Sequence, residues 1–223
     1  MTRLARWQGC AAPDAVAHEG RYVRLEPLDW SVHGTGLSTA LVGPETDALW
    51  TYLPAGPFQT ARAFQEWLDA ARSADGDWLT FAVLPEDGAA FGMMSFMRQR
   101  PDQGSIEVGC IAYGASLART RAATEAVFLL ARHIFDDLGY RRFEWKCNAR
   151  NAPSRRAAER LGFLYEGTFR NDQVVKGRNR DTAWYAMTDG DWPDVRDRLQ
   201  AWLRPENFDP RGCQRQRLSR ATT

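Results

Sequence analysis

The sequence predicts an α+β domain built on a mixed, mostly antiparallel sheet with one parallel strand pair and flanking helices. Three observations carry this. Short apolar runs at 79–84 and 91–97 are separated by the turn-rich PEDGAA, and a third run at 105–112 follows RPDQG, which reads as an antiparallel meander. A long apolar period over 120–138 is followed by an alternating segment at 142–148, so strand, helix and strand make a crossover and its two strands must be parallel. Two further strands, 164–171 and 182–188, flank the polar stretch VKGRNRD.

Each element has a local reason. GRYVRLEP, residues 20–27, alternates apolar and charged side chains and ends at a proline, the pattern of a first strand. Residues 60–73 place Phe64, Trp67, Leu68 and Ala71 at i, i+3, i+4 and i+7, an amphipathic helix with Thr60 as its cap. In the 105–112 strand, Ile106, Val108 and Cys110 share one face, with Glu107, Gly109 and Ile111 on the other. Ala123, Val127, Leu130, Ile134 and Leu138 keep helical spacing until Gly139 stops the helix. Residues 154–161 form a short helix ending at Gly162, and 192–203 form a closing amphipathic helix.

Composition excludes several function classes. The chain has 223 residues, enough for one sizeable core. We read 1–19 as an N-terminal arm, 20–204 as a single domain, and 205–223 as a flexible tail carrying Arg211, Arg215, Arg217 and Arg220. Lys and Arg number 29 against 28 acidic residues, a net charge of +1, so no global field recruits nucleic acid or an anionic membrane, and the arginine tail alone is a poor basis for nucleic-acid binding. No apolar run reaches the ~18–20 residues of a membrane helix, and MTRLARWQGC lacks the apolar segment of a signal peptide, so a cytoplasmic protein is expected. The four scattered cysteines have neither zinc-site spacing nor disulfide density, and His18, His33 and His133 have no spacing that suggests a triad, so no metal is expected.

The crossover places a ligand site at the carboxyl end of the 105–112 strand, toward which the amides of Arg121 to Thr124 point as the next helix begins. LWTYLPAGPF, residues 49–58, sets Trp50, Tyr52 and Phe58 among prolines, suited either to an aromatic wall over a substrate or to packing the first two helices.

Two stretches, ARTRAATEA at 118–126 and NAPSRRAAERLGFLYEG at 151–167, resemble the acyl-CoA-binding region of the GCN5-related N-acetyltransferases, and most of all the branch of RimJ- and RimL-type ribosomal-protein acetyltransferases. The resemblance covers roughly residues 20–192 and implies a splayed strand pair, 105–112 and 142–148, with the pantetheine arm of acetyl-CoA or another acyl-CoA between them. It implies cofactor contacts at Cys110, Ile111, Ala112, Arg119, Thr120, Arg121, Ala122, Ala123, Thr124 and Asn151. The family's pyrophosphate loop usually carries glycine. None occurs across Ala118–Ala123, so Arg121 brings a side chain where phosphate approaches the backbone, while Arg119 and Arg121 offer cationic donors.

Acyl transfer needs a deprotonated amine, a polarised carbonyl and a proton for the leaving thiolate. The resemblance gives these roles to Glu107 as the group orienting or deprotonating the amine, Asn151 as the residue holding the cofactor arm or a water, and Ser154 as the thiolate's proton donor, with helix capping as Ser154's other role. It places Trp50 and Tyr52 at the acceptor border. A further acid follows the Glu-Gly of Glu166 and Gly167 in RimL-like members; Asp172 is the nearest here, with Gln173 in the matching place. The implied acceptor is a small-molecule amine or a peptide N-terminus. Homodimers are common in the family, and the alternative function is a degenerate acyl-CoA sensor or docking module.

Overall fold

A computed structural model describes residue 4 and residues 7–74, 78–86 and 90–218. The elements, in order, are β1 (His18–Glu19), β2 (Val23–Pro27), α1 (Trp30–Leu41), a 3-10 segment (Pro44–Tyr52), α2 (Ala61–Ala74), β3 (Leu79–Pro85), β4 (Gly92–Arg100), β5 (Ser105–Tyr113), α3 (Arg121–Arg132), β6 (Arg142–Asn148), α4 (Ala152–Leu161), β7 (Leu164–Val175), β8 (Arg178–Thr188) and α5 (Trp192–Trp202). One eight-stranded sheet has the order β1-β2-β3-β4-β5-β6-β8-β7. Of its pairs only β5 with β6 is parallel, as the crossover through α3 requires.

The sheet separates two cores. On one face Phe81, Ile106, Val108, Phe143 and Tyr185 pack with Leu130 and Ile134, and Leu161 and Leu199 extend this core to α4 and α5. On the other face Ala82, Leu84, Met93 and Ala112 pack beneath Leu37, Leu41, Trp50, Phe64 and Leu68. The 79–84 run is apolar throughout because β3 is covered on both sides, so alternate residues enter different cores. The second core involves β3, β4 and the end of β5. Farther along β5, β6 and β8, the same face carries Glu107, Glu144, Lys146 and Trp184 instead.

Several expectations need correction. The helix from Thr120 ends as an α-helix at Arg132 and continues as a π-turn over His133–Asp137, where an extra residue per turn brings Asp136 against the Trp192 indole. Helix α1 has no clear sequence signature, because Gly34 and Gly36 lower its propensity; it is started by Asp29, whose carboxylate accepts from the Ser31 amide, and Gly34 is small so that the Trp30 ring can lie over it. The final hairpin is far longer than expected, its turn reduced to Lys176 and Gly177. Residues 205–218 are mostly exposed but tied down at points along their length: Phe208 and Leu218 are buried and the Trp202 indole donates to Gln214 and to the Gln216 carbonyl. The PEDGAA turn falls partly on 87–89, and Arg220 also lies outside the described residues.

Candidate functional site

Strands β5 and β6 run in register from Ser105 and Arg142 to Val108 and Trp145, and there the pairing ends. Beyond it the strands part, opening a gap between residues 109–113 and 146–148. On the far side β6 stays fully paired to β8 through Asn148 and Thr182, so the opening belongs to the parallel pair alone. Facing the gap, β5 carries a bulge: Gly109 pairs with Ser95 and Ala112 with Met93, leaving Cys110 and Ile111 opposite Met94. Cys110 sits at a φ of 48°, a conformation that costs a non-glycine residue and recurs at functional sites.

The bulge overturns the expected alternation. Cys110 turns away from Ile106 and Val108 to pack on the core beneath α1 and α2, while Ile111 packs on the α3 side. Burial, with the Glu107 charge adding to it, pushes the Cys110 thiol up to about 12, so it is held as a thiol.

Two helix N-termini face this end of the parallel pair. At α3 the Thr120 hydroxyl accepts from the Ala123 amide at 3.1 Å and donates to the Leu117 carbonyl at 2.7 Å, while the Thr124 amide reaches the Thr120 carbonyl. The amides of Arg121 and Ala122, in the first turn, have no carbonyl a turn earlier to bond and remain available. The Arg121 side chain is not loose over them: its guanidinium lies 4.1 Å from the Tyr22 ring centre and 5.3 Å from that of Phe208. Arg119 is exposed at a φ of 65°, completing the turn that glycine usually makes.

At α4 the cap is Asn151, whose side-chain oxygen accepts from the Ser154 amide at 3.1 Å. The capping role expected of Ser154 therefore passes to Asn151. The Ser154 hydroxyl accepts instead from the Trp145 indole at 3.0 Å, and a second hydrogen bond joins it to the Cys147 sulfur.

On the opposite face of the same strands lies a charged cluster. Glu107 and Glu144 are direct partners across β5 and β6, both buried. Lys146 Nζ is 2.7 Å from Glu107 Oε2, an ion pair off the alignment of a hydrogen bond, and Arg98 is 3.7 Å from the same oxygen. Glu144 is held by Arg100 at 2.9 Å and Arg142 at 2.8 Å, and Arg142 forks onto both oxygens of Glu166. Burial raises the Glu107 pKa above the usual carboxylate range, and Lys146 and Arg98 offset only part of it. Lys146 and Arg98 both sit over the Trp184 ring, at 4.8 and 5.3 Å, and Phe169 packs on that ring's surroundings at 5.0 Å.

This face concentrates unsatisfied polar atoms. Among the described residues, Thr182 Oγ1 and Trp184 Nε1 are buried without a hydrogen-bond partner, and Glu144 Oε2 has only the Arg98 guanidinium at 3.9 Å, whereas Glu107 Oε2 is met by Lys146. Such atoms in a native protein mark water or a ligand. No cluster of metal-ligating side chains occurs among the described residues, and no helix there is long and apolar enough to cross a membrane.

The aromatic segment divides. Trp50 is fully buried, its indole donating to the Leu41 carbonyl at 2.9 Å and its ring edge-on to Phe58 and Trp67, so it is core rather than an exposed wall. Tyr52 is half-buried at the end of the 3-10 segment, and Asp172 is exposed on β7 at an irregularity in its pairing. A contact absent from the sequence reading joins these regions: Lys176, at the hairpin tip, donates to the Trp50 carbonyl at 2.6 Å. Sequence reasoning also passed over Lys146, Thr182 and Trp184. The alternation of 142–148 contained Lys146, but only strand register pairs it with Glu107. A cleft of about 510 Å³ lined by Arg100, Ser105, Arg141, Arg142 and Asp189 lies at the other end of the parallel pair; Arg100 and Arg142 are paired to Glu144 and Glu166, and Arg141 lies over the Trp7 ring.

Known proteins resemble this arrangement. The pattern described as an acetyltransferase (GNAT) domain matches residues 36–164. The crystal structure of a GCN5-related N-acetyltransferase from Brucella melitensis is 47% identical, covers 96% of this chain and 97% of its own, and superposes with a TM-score of 0.92. A probable GNAT-family acetyltransferase from Chromobacterium violaceum is 41% identical over 86% of this chain and 96% of its own, with a TM-score of 0.80. Mycobacterium smegmatis RimJ, solved in complex with CoA-disulfide, is 22% identical over 80% of this chain and 88% of its own, with a TM-score of 0.65, and shares the fold. No curated protein matches.

Proposed function

This chain belongs to the GCN5-related N-acetyltransferase (GNAT) family, and from that membership we propose that it transfers an acetyl group from acetyl-CoA directly to a primary amine of a small molecule or a peptide N-terminus. One observation carries the reading: the gap between β5 and β6 has a bulged strand and two helix N-termini on its edge, and a buried, basic-shifted Glu107 on the strand beneath.

The residues fit the coenzyme. First-turn amides of Arg121 and Ala122, the α3 dipole and the exposed Arg119 are suited to a diphosphate, and loss of loop glycine matters less because Arg121 is held against Tyr22 and Phe208. The backbone of Cys110, Ile111 and Ala112 and the Asn151 turn line the gap for the pantetheine arm. Bound acetyl-CoA supplies the activated carbonyl.

Glu107 takes a proton from the incoming ammonium or orients the amine, with a pKa raised toward working pH. As the nitrogen bonds the acetyl carbon, amides freed by the β5 bulge polarise the carbonyl oxygen. The C–S bond then breaks, and Ser154, whose hydroxyl accepts from Trp145 and is also hydrogen-bonded to Cys147, protonates the thiolate. Glu107 passes its first proton to solvent and then takes the nitrogen's second, and solvent restores the proton to Ser154, so that one proton is released overall. We place this in the cytoplasm, consistent with four cysteines that are all free.

Calorimetric titration with acetyl-CoA and with coenzyme A, followed by thiol release in a panel of amines, tests the reading. Saturable micromolar binding with amine-dependent release is expected. Binding without release across the panel would favour the acyl-CoA sensor, and no binding would remove both.

A further inference from the structure

Arg98 reaches the charged face through an irregularity in β4. Met97 pairs with Glu107 and Arg100 with Ser105, so Arg98 and Gln99 together oppose Ile106, and Arg98 takes a φ of 47°. Regular alternation would send Arg98 into the α3-side core after Phe96; the bulge turns it toward Glu107 and Glu144 instead. Strained non-glycine residues of this kind cluster at functional sites.

There Arg98 meets both carboxylates and bonds neither. Its Nε lies 3.7 Å from Glu107 Oε2 and 3.9 Å from Glu144 Oε2, beyond hydrogen-bond reach of each, and the half-exposed guanidinium rests 5.3 Å from the centre of the Trp184 ring. The remaining contacts divide the oxygens. Glu144 takes Arg100 and Arg142 on Oε1, which leaves Oε2 with Arg98 alone. Glu107 takes Lys146 on Oε2, while its Oε1 comes within 2.9 Å of where a Cβ on Gly109 would stand, at the start of the gap.

The charges give such a group a task. Facing Glu107 are Lys146 and Glu144 from β6 and Arg98 from β4, with the Cys110 thiol on its own strand; around Glu144 stand Arg100 and Arg142, and beyond Arg142 is Glu166. When Glu107 takes a proton from an ammonium, the N–H bond breaks, an O–H bond forms and the carboxylate loses its charge. A cation fixed beside Oε2 would then be stranded, whereas Glu144 Oε2 offers it an unfilled acceptor.

We propose that Arg98 is a positioning residue for the transfer: a shared counter-ion that turns from Glu107 to Glu144 as Glu107 takes the amine's proton, and back as that proton leaves. The inference rests on the acetyltransferase reading and adds a residue to that same site.

The test reads Glu107 directly, by NMR titration of its carboxyl carbon in the full chain saturated with coenzyme A, beside the acidic limb of thiol release. Arg98→Met should move the Glu107 midpoint up, since a cation is lost, and lower kcat about fivefold with coenzyme affinity unchanged. Glu144→Gln should move the midpoint down by about one unit or more, since a like charge is lost and Arg98 is released wholly to Glu107. Sharing makes the two changes non-additive: in the Arg98→Met background the downward shift from Glu144→Gln should fall to less than half. An equal shift in both backgrounds, or an Arg98→Met midpoint that stays in place, overturns the proposal. Should buried Glu144→Gln not fold, the Arg98 Nε–H resonance of the unaltered protein serves: it should titrate with the Glu107 midpoint and cease to do so in Glu107→Gln, and a resonance flat with pH overturns the proposal. Because the titration does not depend on turnover, the two readings fail separately. A non-additive cycle without thiol release removes the transferase reading and leaves the counter-ion, whereas additive shifts with rapid release do the reverse.

Discussion

Glu107 and Lys146 stand on neighbouring parallel strands with Oε2 and Nζ 2.7 Å apart, yet the Glu107 pKa is raised, because burial of the carboxylate outweighs the ammonium beside it. A carboxylate held in this way accepts a proton near neutral pH more readily than an exposed one. Glu107→Gln should therefore lower kcat/KM roughly 10²-fold with coenzyme affinity unchanged. The acidic limb of the pH–rate profile should lie above the ordinary carboxylate range. Lys146→Met removes the cation that favours the charged form, so that limb should move to higher pH; a limb that stays in place would show that Glu107 does not set it.

Ser154 accepts from the buried Trp145 indole and does not cap α4, so its loss leaves the helix cap in place and is read in turnover and coenzyme affinity, beside the stability lost with the Trp145 bond. Ser154→Ala should slow turnover about tenfold or more with coenzyme affinity within about threefold. Asn151→Ala, which removes the cap, should cost about 1 kcal/mol in thermal unfolding as well. Unchanged turnover in Ser154→Ala would remove it from thiolate protonation.

The C-terminal segment reaches the coenzyme end of the site through Phe208, which lies beside Arg121 and packs on Tyr22 and Trp202. Phe208→Ala should destabilise the fold by about 2–3 kcal/mol and weaken coenzyme A binding severalfold by calorimetry. A change in stability alone would limit the segment to packing.

Lys176 ties the tip of the β7–β8 hairpin to the Trp50 carbonyl. Lys176→Met should raise KM for the acceptor about three- to tenfold, a loss of roughly 1 kcal/mol of positioning, with kcat and coenzyme affinity little changed. An equal fall in kcat would place its effect in the chemical step.

His18 is buried against Phe81 and His133, with ring centres 5.4 and 4.7 Å away, and burial lowers its pKa to about 4, helped by the charges of His133 and Arg132 and opposed by Asp137. His133 in turn lies 2.9 Å from Asp137. Because the folded pKa is depressed below 6.5, the stability from neutral His18 is present above pH 6.5 and lost as pH falls from there toward 4. Discounted for residual solvent, the loss is about 2 kcal/mol, and His18→Gln should flatten the fall in melting temperature over that interval.

Legibility varied with the range of the interactions. Strand 142–148 coincides with β6 and the meander strands agree within a few residues, because alternation and turn residues act over neighbouring positions. Helix α1 escaped because its two glycines argue locally against the helix that packing over β4 and β5 enforces. Trp50 reads equally well as a wall or as core, and only its indole bond to Leu41 and its aromatic neighbours settle it as core.

By itself the sequence determined the order of elements from α2 onward, the single parallel crossover and the family, since apolar period, caps and the 151–167 run are properties of short stretches. Tertiary structure alone decided which charges meet. The β5 bulge turned Cys110 out of its expected face, strand register brought Lys146 to Glu107, and a long hairpin carried Lys176 to Trp50 and set Thr182 and Trp184 along the same face. The physical reason is that pairing register and bulge position depend on the whole sheet, and a shift of one residue would send every one of these side chains to the opposite side.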